Sequence, residues 1–166
     1  KYFILPDGGL GLLSMGYAEN ASHALLLVVD NPEKTAGKIY NVRDEAALTF
    51  RQRVEIISRI MKHEWELIDI PFELALPSWP SAARWHPGGP FEHGLTDISK
   101  IRNDLGYKDM VPVEHGIEKT IKWLLESKPK SGGPEETALG DRFEYALEDK
   151  LILLFKEFQE KARDIP

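Results

Sequence analysis

The chain has 166 residues, 42% hydrophobic and 29% charged, and its 21 Lys and Arg against 27 Asp and Glu leave a net charge of -6. This is the balance of one ordinary globular unit able to bury ~70% of its unfolded surface, and it argues against nucleic acid or an anionic membrane as partner. No apolar run approaches the ~20 residues of a membrane span, and the lack of cysteine removes disulfides, Cys-containing zinc sites and thiol nucleophiles while fitting a reducing, cytoplasmic setting.

Tyr2 to Leu5 reads as a strand and Pro6-Asp7-Gly8-Gly9 as a hairpin turn, followed by a second apolar run from Leu10 to Tyr17. A chain that begins at Lys1 and enters a strand at once, without a signal-peptide pattern, is expected to be a piece of a longer protein. From about Ala18 the period becomes helical, with Ala21, Ala24, Leu25 and Val28 on one face, and Asn31-Pro32 stops it. Lys38 to Val42 predicts a strand. Thr49 with Gln52 is a capping-box pattern opening a helix whose buried stripe is Phe50, Val54, Ile57 and Met61. Glu64 to Ile70 predicts a further strand, and Pro71 opens a helical turn through Leu76.

Residues Pro77 to Gly94 change character, with Pro77, Pro80, Pro87, Pro90, Gly88, Gly89 and Gly94 set among Trp79, Arg84, Trp85, His86 and Phe91. Tryptophans are costly to leave in water, so this segment is expected to be an ordered loop, or one that closes over a ligand. Two short helices follow: Asp97 can cap the first, Gly106 can end it in the left-handed conformation, and Pro112 pre-sets the second. Residues 127–140 read as a flexible connection. Asp141 with Glu144 forms a second capping box for a final helix to about Ala162, with Phe143, Leu147, Leu151, Leu154, Phe155 and Phe158 on a wide apolar face. No internal repeat is present.

Few of these residues suggest chemistry. Gly9-Leu10-Gly11-Leu12-Leu13-Ser14 mimics a dinucleotide fingerprint, but the helix begins only near Ala18, so the glycines do not abut a helix N-terminus that could hold a pyrophosphate. His23, His63, His86, His93 and His115 lack metal-ligand spacing, so no metal site is expected. Asp97, Ser99 and Lys100 are explained by capping and a solvated helix face.

Three segments, in order, carry a resemblance. They are Tyr17-Ala18-Glu19-Asn20-Ala21; Gly37-Lys38-Ile39-Tyr40-Asn41-Val42; and Asp97-Ile98-Ser99-Lys100-Ile101-Arg102 with Leu105-Gly106-Tyr107, Gly116 and Thr120-Ile121-Lys122-Trp123. Together they resemble the C-terminal end of the extended short-chain dehydrogenase/reductases, the NAD-dependent epimerase/dehydratase family. The resemblance implies a mixed α/β fold: the substrate-binding C-terminal portion, with the Rossmann half absent from this chain. On that reading residues 1–126 form the substrate-side domain, 127–140 the connection, and 141–166 a C-terminal amphipathic helix docking on the domain.

The family's catalytic tyrosine precedes a lysine by four residues. Here the fourth residue after each tyrosine is Pro6, Ala21, Asp44, Val111 or Asp149, so no catalytic or cofactor-binding residue is expected. NAD or NADP belongs to the full-length parent and no cofactor to this chain alone. Its partners would be a small-molecule substrate and the missing N-terminal Rossmann domain, with a homo-oligomer left open. Substrate-binding positions carried over from the family are Tyr17, Asn20, Asn41, Arg84, Trp85 and His86. Nucleotide-sugar members use an arginine near Arg84 to clamp a diphosphate. The Gly-Asp that follows it in those members is missing here, and Trp79, Trp85 and Phe91 suit a flatter, more apolar substrate. In the parent, the reaction would be hydride transfer at a carbinol or carbonyl carbon, as reduction, oxidation or a step of epimerisation. The rival expectation is a non-catalytic binding or assembly module using the C-terminal amphipathic helix.

Overall fold

The structure is a computed structural model that describes residues 2–78, 93–128, 130, 132–139 and 145–164. The expected gating loop, with Trp79, Arg84, Trp85, His86 and Phe91, therefore lies outside the described residues, as do Phe143 and the capping box at Asp141. In chain order the elements are β1 (Tyr2–Pro6), a 3-10 turn (Asp7–Gly9), β2 (Leu12–Ser14), α1 (Ala18–Asp30), α2 (Pro32–Thr35) and β3 (Ala47–Thr49). They continue with α3 (Phe50–Met61), β4 (Glu66–Ile70), α4 (Phe72–Ala75), α5 (Ser99–Leu105), α6 (Val113–Glu126), α7 (Pro134–Leu139) and α8 (Tyr145–Arg163). The fold is mixed α/β, and α7 occupies part of the segment read as a connection.

Among the described residues the strands form two separate pairs. β1 runs parallel to β4 with Ile4 opposite Ile68, while β2 runs antiparallel to β3 with Leu13 opposite Leu48. The turn at Asp7–Gly9 is consequently no hairpin, since the strands it joins pair with different partners. Gly9 has φ +65°, and a Cβ there would lie 2.9 Å from the Arg51 backbone nitrogen. The Gly8 carbonyl accepts from Arg51 Nε at 2.9 Å, and the Asp7 carboxylate accepts from the Phe72 N–H at 3.1 Å. The glycines thus let the chain turn tightly against α3.

Local signals hold where local bonds make them. Thr49 and Gln52 form the reciprocal capping box at the start of α3. The Asp97 carboxylate accepts the Ser99 N–H at 2.8 Å, and Gly106 ends α5 at φ 66°. Burial patterns were less legible. On α1 it is Asn20 and Ala24 that are buried, and Leu25 faces outward; on α3 Val54 and Ile56 are buried while Met61 is exposed.

Lys38 to Val42 is not a strand: the described residues place no strand beside it, so its backbone has no ladder to join. The segment is tied by side chains instead. Lys100 Nζ donates to the Ile39 carbonyl at 2.8 Å, and the Tyr40 hydroxyl donates to Asp104 at 2.9 Å. Tyr40 and Val42 still pack on one of two core clusters, built from Ala24, Ile98, Ile101 and Tyr107. The second cluster joins Ile68, Ile70 and Ala75 to Ile152 of α8, with Ile4, Leu151 and Phe155 around them. The apolar face of α8 is therefore centred nearer Ile152 than the sequence pattern suggests; Leu147, Leu154 and Phe158 are exposed.

Candidate functional site

Two features meet at the start of α1. The first is a buried polar hub. Asn20 is 0% exposed. Its amide nitrogen donates to Asp44 Oδ1 and to the Val111 carbonyl, both at 2.9 Å, and its oxygen accepts from the N–H groups of Met110 and Val111 at 3.0 and 2.9 Å. Both donors and both acceptor positions of the amide are filled by the chain itself. Asp44, also buried, accepts the Tyr17 N–H on its two oxygens at 3.0 and 3.1 Å. A carboxylate there satisfies a free donor at the positive end of α1. Sequence reading missed Asp44, because a cap supplied from 27 residues away leaves no local pattern.

Beside the hub, Glu45 and Asp109 each accept the other's backbone N–H, at 3.0 and 2.8 Å. The Tyr107 hydroxyl donates to Asp109 at 3.0 Å. Burial, then the bond to Asp109 and the surrounding carboxylates, pushes the Tyr107 phenol far above its usual range. Burial likewise raises Asp109, aided by the charges of Asp44 and Glu45 and opposed by its hydrogen bonds. Asp104 moves the other way, lowered by its bonds from Lys38 and Tyr40. The signs are opposite in stability. The Asp104 contribution is present above the unfolded value and lost as pH falls through the folded one. The raised Asp109 makes the fold relatively more stable below its unfolded value, an advantage lost as pH rises through the folded one. Carboxyl-carbon NMR across an acid titration should find Asp109 above the ordinary aspartate value of about 3.9 and Asp104 below it. The reverse order would contradict this arrangement of bonds.

The second feature is a cavity of about 500 Å³ between β1, α3 and α6. Phe3, Phe50 and Trp65 form an aromatic wall, with Phe3 ring-to-ring distances of 6.0 and 5.6 Å, and Ile117 and Leu124 lie across from it on α6. Tyr17 lines one side. Its ring lies against Gly116, where a Cβ would come within 3.0 Å of the ring, so glycine is what lets the ring seat on α6. Desolvation first, then the Glu19 carboxylate accepting its hydroxyl at 3.1 Å, raises the Tyr17 phenol; Lys119 opposes this but is itself bonded to Glu19 at 2.8 Å. A raised phenol stays neutral near pH 7.

Arg53 is the one basic side chain lining this cavity among the described residues. Its guanidinium carbon sits 5.4 Å from the Phe50 ring centroid, and Nη1 lies 3.4 Å from the Met15 sulfur. Nε is buried without a hydrogen-bond partner, and Arg53 makes no ion pair among the described residues. Desolvation lowers its pKa, although a guanidinium remains charged. Sequence reading passed over Arg53, which looks like any charge on an amphipathic helix.

Of the family-derived positions, Tyr17 lines the cavity and Asn20 lies in the hub beneath it. Asn41 stands apart, its amide donating to the Asp97 carbonyl at 3.3 Å. Arg84, Trp85 and His86 lie outside the described residues. The chain that follows them is anchored on β2: His93 Nδ1 accepts the Leu12 N–H at 3.1 Å, and Gly94 exchanges backbone bonds with Leu12 and Ser14 at 2.8 and 3.1 Å. Asp7 to Gly9 packs against α3 and α4. Among the described residues no cluster of His, Asp and Glu could hold a metal ion, and no helix is long and apolar enough to cross a membrane.

The architecture matches solved structures of epimerases and dehydratases of nucleotide sugars, some of them solved in complex with NAD. The UDP-glucose 4-epimerase of Thermotoga maritima, solved with UDP-glucose, superposes with a TM-score of 0.57 at 15% identity, covering 78% of this chain and 36% of that one. The dTDP-glucose 4,6-dehydratase of Bacillus anthracis, solved in complex with NAD, gives 0.53 at 16% identity, covering 77% and 36%. At such identities the likeness is one of fold: the chain has the architecture of part of these enzymes. By sequence it is similar to the uncharacterized protein YbjS of Escherichia coli, 27% identical over 138 residues, covering 74% of this chain and 41% of that protein. The chain spans about two fifths of the length of the curated relatives it matches. No protein-family model matches it.

Proposed function

We propose that this chain is the substrate-side portion of an NAD(P)-dependent enzyme of the epimerase/dehydratase type, acting on a carbinol or carbonyl carbon of a small substrate. The observation that carries this reading is the extent of the match: 78% of this chain superposes on 36% of a sugar-nucleotide epimerase. The three sequence segments around Tyr17, Asn41 and Asp97 support it independently.

In this reading NAD or NADP, held by the remainder of the full-length protein, supplies hydride chemistry, and residues 1–166 shape the substrate side. Tyr17 offers an aromatic face and a neutral hydroxyl. Asn41, Arg84, Trp85 and His86 are the other substrate contacts carried over from the family, and Asn20 keeps α1 in register. None of these residues makes or breaks a bond. Residues 1–126 are the folding unit of this portion, with α8 docked on it.

Isothermal titration of NAD and NADP tests the proposal. Binding is expected for the full-length gene product and none for residues 1–166 alone. Micromolar binding by residues 1–166, or a full-length product that binds neither cofactor, would overturn it.

A further inference from the structure

We infer that the cavity between β1, α3 and α6 is a binding site for a small organic carboxylate with a flat apolar body, its carboxylate held by Arg53. The inference does not depend on the proposed enzymatic role, because it is argued from described residues of this chain alone.

Size and lining come first. About 500 Å³ falls within the range of small-molecule sites. The aromatic wall of Phe3, Phe50 and Trp65 facing aliphatic side chains of α6 favours a planar apolar body. A ligand with no charge would leave the most unusual feature of the site unanswered, and that feature is Arg53.

Arg53 is half-buried with its Nε out of water, and an N–H withdrawn from water needs a hydrogen-bond acceptor. Arg53 has none at Nε, and at Nη1 it has only a thioether sulfur, a weak acceptor. The Phe50 face stabilises the cation but cannot accept its N–H groups. Asp44 is the one carboxylate lining the cavity, and its oxygens already hold Tyr17 and Asn20.

The charge count then selects the anion. The Asp44 charge is already bonded within the hub, so Arg53 is the cation left for a ligand among the described lining residues: a monoanion meets it one to one, whereas a phosphate dianion would add a second negative charge with no further cation to meet it. A carboxylate also matches the planar fork of a guanidinium with two parallel hydrogen bonds.

The test uses residues 1–166, with 2-naphthoate as probe and 2-naphthamide as its neutral counterpart of nearly the same shape. Isothermal titration should show naphthoate binding at least about tenfold more tightly than the amide, and saturating naphthoate should raise the melting temperature. In Arg53→Met the preference should disappear. This variant is expected to stay folded, because replacing a poorly compensated buried charge by an apolar chain of similar length is neutral or favourable. Ile117→Phe keeps Arg53 but fills the cavity, and should weaken both probes. Equal affinity for the two probes in the native chain, full naphthoate binding by Arg53→Met, or no binding of naphthoate would each overturn the inference. NAD(P) binding by the full-length protein is a separate readout, so failure here leaves the enzymatic reading to its own test.

Discussion

Replacing Asn20 by alanine is expected to cost the fold roughly 3–5 kcal/mol, measured by chemical denaturation. The side chain is fully buried and makes four hydrogen bonds that tie α1 to residues 44, 110 and 111. Alanine removes all four at once. It leaves the Met110 and Val111 N–H groups and the Val111 carbonyl unpaired in the interior, where each unsatisfied group costs about 1–3 kcal/mol. Relaxation and entering water recover part of that sum, hence the lower total.

Asn20→Asp is the sharper companion. It keeps the two acceptor bonds but sets a carboxylate oxygen where the amide nitrogen faced Asp44 Oδ1 at 2.9 Å. Two carboxylates at that distance cannot both ionise, so the new carboxyl is raised in the folded state. Its proton would restore a donor to the hub. The defect of this variant should therefore be severe near pH 7 and shrink as the pH is lowered through the raised value. A variant as stable as the native chain at neutral pH would mean that the hub is not closed as described.

Ile152→Ala should cost roughly 2–5 kcal/mol, as expected when a large aliphatic side chain is removed from a core. Leu154→Ala should stay within about 0.5 kcal/mol, as for a surface change. Ile152 is 4% exposed and packs on Ile68, Ile70 and Ala75, whereas Leu154 is 63% exposed. Two residues further along a helix is a rotation of about 200°, so the two side chains cannot share a face. The pair also weighs docking of α8 against the rival assembly reading. A docked helix melts at a temperature independent of protein concentration. A melting temperature that rises with concentration, together with a large loss in Leu154→Ala, would instead make the outer row of α8 an interface between chains.

Some of this was legible in the residues themselves. Thr49 with Gln52, Asp97 before Ser99, and Gly106 after Leu105 act through bonds spanning two to four residues or through one backbone conformation, so composition and spacing suffice to read them. Strands read at Tyr2 to Leu5 and Glu64 to Ile70 are present as Tyr2–Pro6 and Glu66–Ile70, though their pairing was not legible. The motif order around Tyr17, Asn41 and Asp97 pointed to the architecture that the solved neighbours share.

Partners distant in sequence decided everything else. That Tyr2 lies beside Glu66, that Asp44 caps α1 and that Asn20 binds Val111 are contacts across tens of residues, which no periodicity encodes. Lys38 to Val42 shows the limit: its residues favour an extended chain, yet a strand also requires a neighbour's hydrogen bonds, and the described residues provide none. Helical periodicity marked α1, α3 and α8 as amphipathic and set Ala24, Val54, Leu151 and Phe155 inward, but it also counted Leu25, Met61 and Leu154 as buried, because apolar residues outnumber the contacts available to cover them. Arg53 was the least legible of all. That its Nε is buried without a hydrogen-bond partner is a matter of packing, which tertiary structure alone decides.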